Sequence, residues 1–262
     1  MNQIRTIMGK EWFEMIRNKI VFSVIIFVPL VMTAIPVLFL FVLSRVPPSP
    51  KDLSEISRML GNPLFAGMTP TEAMQSAMSS NFLVLFLMMP LMVPVTIASY
   101  SIVGEKITRS LEPLLATPIT TAQLLFGKGL AAAVPGVVMT WLSYGVFLIF
   151  ARFLVSDRVF AVFANPMWLV AMFVLAPLLT VLAVNIGIIV SSRTTDPRAA
   201  EQLGSLIILP LMILFIGSLA GFIMISGRTF WLASAGAAVA DAALLYIGVG
   251  LFQREKILTQ WK

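Results

Sequence analysis

Long apolar runs separated by short polar stretches organise this chain. Six of them approach or exceed the roughly 20 residues that a helix needs to cross a bilayer. They fall at about 20–43, 81–103, 124–151, 166–190, 203–225 and 230–251. Pro29 and Pro36 lie inside the first run, and Pro90 and Pro94 inside the second. Proline is tolerated there because neighbouring helices can serve the backbone groups it frees. Ahead of the first run, Ile4, Ile7, Met8, Trp12, Met15 and Ile16 recur at a spacing of three and four. Arg5, Lys10, Glu14 and Arg17 fill the remaining positions. The pattern predicts an interfacial helix over residues 2–18, lying in the membrane surface with Trp12 at headgroup depth. The alternative is the same helix packed on the protein itself. Residues 44–80 form the longest polar segment, an extracytoplasmic loop opened by Pro47-Pro48-Ser49-Pro50. Thr69-Pro70-Thr71-Glu72 combines a capping box with proline at the first helical position, so the second helix should begin near Pro70, before the bilayer.

The most punctuated stretch runs from Glu105 to Lys128, between the second and third apolar runs. Glu105 and Arg109 stand four apart with the acid first, the favourable order for a pair on one helix face. Ser110 can cap a new helix, with Glu112 in its first turn, where negative charge suits the helix dipole. Leu111, Leu114 and Leu115 share one edge. Thr117-Pro118 ends the helix, and Thr120 with Gln123 forms a capping box for the next. A short amphipathic helix between two spans follows from this. On local pattern alone, an ordinary interfacial loop with a solvated charge run fits equally well.

Composition agrees with the apolar pattern. Of 262 residues, 59% are hydrophobic and 11% charged, and mean hydropathy is +0.97. A soluble fold could not bury that much apolar surface. The expected class is an all-α polytopic membrane protein of six transmembrane helices, one domain over residues 1–262. Net charge is +6. The excess belongs to loops and lipid headgroups, not to nucleic acid. Six spans put both termini on one side. Twelve of the 18 lysines and arginines fall on that side and six opposite, which places the termini and the central stretch in the cytoplasm.

Little in the chain suits catalysis. There is no cysteine and no histidine, so thiolate and imidazole ligands are missing. Gly127-Lys128 is not a P-loop, because no glycine stands five residues before Gly127 and Gly129 follows where serine or threonine is needed. Neither a metal site nor a catalytic residue set stands out. One ionisable residue, Asp241, sits near the middle of the sixth run. A carboxylate in hydrocarbon marks either a functional residue or a helix-to-helix hydrogen bond, for example to Asn185.

Glu105-Lys106, Ser110-Leu111-Glu112, Leu114-Leu115, Thr117-Pro118 and Gly127-Lys128, in that order after the second of six spans, resemble the permease subunits of ABC-2-type ABC exporters. The stretch departs from that family's usual pattern at Ile107, Arg109 and Pro113. The resemblance implies a cytoplasmic coupling helix around residues 111–117, docked in a groove of a separate ATP-binding subunit. Leu111, Glu112, Leu114, Leu115 and Thr117 would carry the coupling, with Glu105 and Arg109 bracing it. The helix at 2–18, with Trp12 and Arg17, would be the connecting helix that touches the same subunit. ATP and magnesium would belong to that partner and not to this chain. Two permease chains, as a homodimer or as a heterodimer with a similar chain, and two ATPase subunits would form an exporter in the cytoplasmic membrane of a prokaryote, its path near the second and fifth spans. A stand-alone ion- or proton-coupled carrier using Asp241, or a membrane scaffold without transport, are the alternatives.

Overall fold

The computed structural model describes residues 2–45, 67–107, 120–220 and 226–251. The segment expected to form the coupling helix, with Arg109, Leu111, Glu112, Leu114, Leu115 and Thr117, lies outside the described residues, as do most of the 44–80 loop and the polar tail. All regular structure among the described residues is helical. Helix α1 spans Asn2–Arg17 and α2 spans Lys19–Arg45. Helix α3, Pro70–Leu83, passes through a 3-10 segment, Val84–Met88, into α4, Met89–Ile107. Helix α5 is the longest, Thr121–Leu154. Short helices α6, Asp157–Phe163, and α7, Pro166–Val170, lead through a π segment, Ala171–Leu175, into α8, Ala176–Arg193. Helices α9, Pro197–Ser205, and α10, Ile208–Leu219, precede α11, Gly227–Leu251. Five of the resulting helical stretches are long and apolar enough to cross a membrane, and a sixth forms if α9 and α10, bent by 41°, count as one span.

Both capping boxes form. Thr69 accepts from the Glu72 amide while Glu72 reaches back to the Thr69 amide, and Thr120 and Gln123 do the same. Two stretches differ from the sequence pattern. Residues 152–165, expected as a loop, hold the end of α5 and all of α6. Helix begins at Pro197, ahead of the fifth apolar run, where Asp196 caps α9 by accepting from the Arg198 amide. It then breaks at Leu206 and Ile207, which lie between α9 and α10.

The second span is the axis of the bundle. Of its apolar window 89% is buried, against 17% for the first span. It packs chiefly on α8, α5 and α9. Helices come close where side chains are absent: a Cβ on Gly136 would stand 2.6 Å from Cγ of Pro94, and one on Gly187 would stand 2.9 Å from Cβ of Ala98. Small residues allow this approach, which packing in lipid relies on. Gly136→Ala should accordingly lower thermal stability in detergent by roughly 1–3 kcal/mol, the range for overpacking. Gly145, with nothing within 4 Å of a built Cβ, is the control. Gly145→Ala should leave stability unchanged or raise it by up to about 1 kcal/mol.

Rings and carbonyls hold the opposite end. Trp168 is fully buried and stacks against Phe230, 5.3 Å between centroids, tying α7 to α11. The π segment presents the Met172 carbonyl to Trp141 Nε1 at 2.8 Å. Widening of the helix there leaves carbonyls open to outside donors. Glu72 Oε1 also accepts from Ser156 Oγ at 2.6 Å, joining the start of α3 to the residues just after α5.

Candidate functional site: a charged clamp under the central stretch

The two ends of the Glu105–Lys128 stretch meet. Glu105 sits in the last turn of α4 and Lys128 in the second turn of α5, and Lys128 Nζ lies 2.9 Å from Glu105 Oε2. The described residues that flank the stretch are therefore joined by an ion pair. Helix α1 completes the cluster. Glu11 Oε1 accepts from Lys128 Nζ at 2.6 Å, and Glu11 Oε2 accepts from Ser101 Oγ at 2.6 Å. Lys10 Nζ donates to Glu105 Oε1 at 2.5 Å. Ser101 Oγ in turn accepts from Lys128 Nζ at 2.8 Å.

Burial makes this arrangement informative. Lys128, Glu11 and Glu105 are each about 95% buried. Charges removed from water persist only when paired and hydrogen-bonded. Here two lysines face two glutamates, so the cluster is neutral within itself. Lys10 is partly exposed and also approaches Glu14 at 3.4 Å. Burial works against its ammonium, but the hydrogen bond and charge of Glu105, with Glu11 and Glu14, outweigh it and raise its pKa above 10.5. A lysine with a raised folded-state pKa contributes stability that is complete below its unfolded value. That stability is lost only as pH rises through the higher folded value. The tie is thus insensitive to pH across the neutral range.

Helix α1 therefore lies against the protein. Ile7, Glu11 and Met15, four apart, form its buried stripe. A Cβ on Gly127 would stand 3.0 Å from Cγ2 of Ile7, so this helix sits directly on α5. Trp12 Nε1 donates to the Ala131 carbonyl at 3.1 Å, so the side chain read as a headgroup anchor is bonded to the third span. Phe13 and Ile16 remain exposed, and Arg17 stacks on Phe13 at 4.2 Å. One face is thus packed, while the open side mixes Phe13 and Ile16 with Arg5, Glu14 and Arg17.

A second cationic contact lies beside the clamp. Lys106 Nζ donates to the carbonyls of Ser191 and Ser192 at 2.6 and 2.7 Å, and of Thr194 at 3.1 Å. These are the unpaired carbonyls at the C-terminus of α8, where positive charge suits the dipole. Deeper in the bundle, Asn185 Nδ2 donates to Asp241 Oδ1 at 3.3 Å, joining α8 to α11.

Sequence reasoning singled out Glu105 and Trp12 but gave them different partners, and it missed Lys10, Glu11 and Lys128 as a group. Glu11 carried a signal in retrospect, being an acid in line with Ile7 and Met15 on an otherwise apolar stripe. Among the described residues no cluster of acidic residues is arranged to hold a metal.

A bundle with five or six helical stretches long and apolar enough to cross a bilayer is a multi-pass membrane protein. The profile of the ABC-2 family transporter proteins matches residues 5–230, and the chain belongs to that family. It is a membrane permease component of an ABC transporter, the transmembrane and non-catalytic part, which works with an ATP-binding partner subunit. No match is found among curated proteins.

Proposed function

We propose that the chain is the membrane subunit of an ATP-driven exporter, and that the stretch between Glu105 and Lys128 is where its ATP-binding partner takes hold. The clamp is the observation that carries this reading. A docked loop transmits motion only if its base is rigid, and here both ends of the loop are locked to each other and to α1 by buried ion pairs. Closure of the partner on nucleotide would move α4, α5 and α1 together. Such coupling requires that the partner prefer one membrane conformation over the other. Leu111, Glu112, Leu114, Leu115 and Thr117 would seat in the partner, with Glu105 and Arg109 at the base. Trp12 holds α1 against the third span, and α1, with Arg17 on its open side, would touch the same subunit.

ATP and magnesium reside in the partner. Two copies of this chain with two ATP-binding subunits form the working unit, in the cytoplasmic membrane of a prokaryote and with both termini inside. The lysine and arginine distribution supports this orientation. Because the chain holds no cysteine, a single Ser110→Cys reports both orientation and docking. A membrane-impermeant maleimide should label it in inside-out vesicles and not in intact cells, and the co-expressed ATP-binding subunit should protect it. Labelling from outside, or undiminished labelling with the partner present, would remove the assignment.

A further inference from the structure

Helices α5 and α11 flank a groove of about 560 Å³ that has α8 at its back. Gln123 and Ile4 mark its end near the start of α5, and Phe126, Val184 and Leu245 are among its walls. Among the described residues, Asn185 and Gln123 are the only polar side chains that line it. Such a slot at the level of the spans is a place for an apolar body.

Behind Asn185 lies the feature that selects what enters. Asp241 is 5% exposed and stands one turn before Leu244 and Leu245, both on the groove wall. Its Oδ1 accepts from Asn185, while its Oδ2 is buried with no hydrogen-bond partner. Among the described residues no lysine or arginine pairs with it. An unserved carboxylate oxygen inside a membrane span is costly and lies characteristically on a ligand path. What it lacks is positive charge. Asn185 both lines the groove and touches the carboxylate, so a head group resting on Asn185 is separated from Asp241 by that one side chain.

We propose that this groove binds an amphipathic monovalent cation, its apolar body held between α5 and α11 and its charged head at Asn185 and Asp241. A zwitterionic lipid would bring a second negative charge towards the carboxylate, and an uncharged amphiphile would leave the carboxylate's charge unbalanced. Neither answers the site as a single ammonium does.

The test uses the purified chain in nanodiscs of zwitterionic lipid, with no ATP-binding subunit, so it stands apart from the docking experiment above. A fluorescent alkyl-trimethylammonium and its uncharged analogue of equal chain length are titrated. The cation should bind saturably and at least tenfold more tightly. Asp241→Asn should erase that preference, Asp241→Glu should keep it, and Ala133→Phe, which fills the groove, should weaken both probes. Equal binding of the two probes to the unaltered chain would overturn the proposal, and so would full cation affinity in folded Asp241→Asn. If Asp241→Asn does not fold, the two-probe comparison on the unaltered chain decides alone.

Discussion

Leu114→Asp is expected to abolish ATP-driven transport and the stimulation of the partner's ATPase, while the chain remains in the membrane. The reasoning is local. Leu111, Leu114 and Leu115 fall on one edge of the stretch between the second and third spans, and Leu114 is central to that edge. If the edge seats in a groove of the ATP-binding subunit, the new carboxylate is buried without a partner. Loss of a central apolar anchor costs about 2 kcal/mol or more, and an unpaired buried charge about 3–5 kcal/mol. The second figure corresponds to a loss of affinity of roughly a hundredfold to a few thousandfold. Insertion into the bilayer should be untouched, because the residue lies outside all six apolar runs. Flux into inside-out vesicles, ATP hydrolysis by the reconstituted complex and membrane fractionation together check this. Normal flux in the variant would sink the coupling assignment, whatever the fate of the groove.

Lys128→Met should destabilise the chain by about 3–5 kcal/mol, the usual cost of removing one partner from a buried ion pair. In a chain of this size that corresponds to a fall in melting temperature on the order of 10 °C. Methionine keeps most of the packing volume, so the loss reports charge. Glu11 and Glu105 would be left facing each other, with only the half-exposed Lys10 to compensate. Adding Glu11→Gln to Lys128→Met should recover part of the deficit, because one of the two stranded carboxylates is then neutral. The non-additivity of that cycle measures the coupling across the clamp. A melting temperature unchanged by Lys128→Met would mean that the cluster does not hold α1 to α4 and α5. An ATPase that is still stimulated in a fully folded variant would separate the clamp from coupling.

The features legible in the sequence are those set by neighbours along the chain. The capping boxes at Thr69 and Thr120 depend on residues three apart, and both form. The apolar runs give the helices their approximate positions, because a bilayer fixes a minimum length. The contact from Asn185 to Asp241 was also within reach, since a buried carboxylate must find a donor and few are available at that depth. The clamp was not. Lys10 and Glu105 are 95 residues apart, and Glu11 and Lys128 are 117 apart. Periodicity distinguishes the polar face of α1 from the apolar one but not which face is turned inward. In this helix the packed stripe contains an acid, while Phe13 and Ile16 face outward. The break at Leu206 and Ile207 did carry a sign: Gly204-Ser205 precede it, and Pro210 has no N–H to give the Leu206 carbonyl four residues back.

The antiparallel limbs α3–α4 and α5 are riveted at both extremities: Glu72 with Ser156 at one end, and Glu105 with Lys128 at the other. A plank pinned by a buried ion pair at one end and by a surface hydrogen bond at the other is stiffest at its charged end. Its least restrained neighbours are the lightly covered first limb and the bent fifth one.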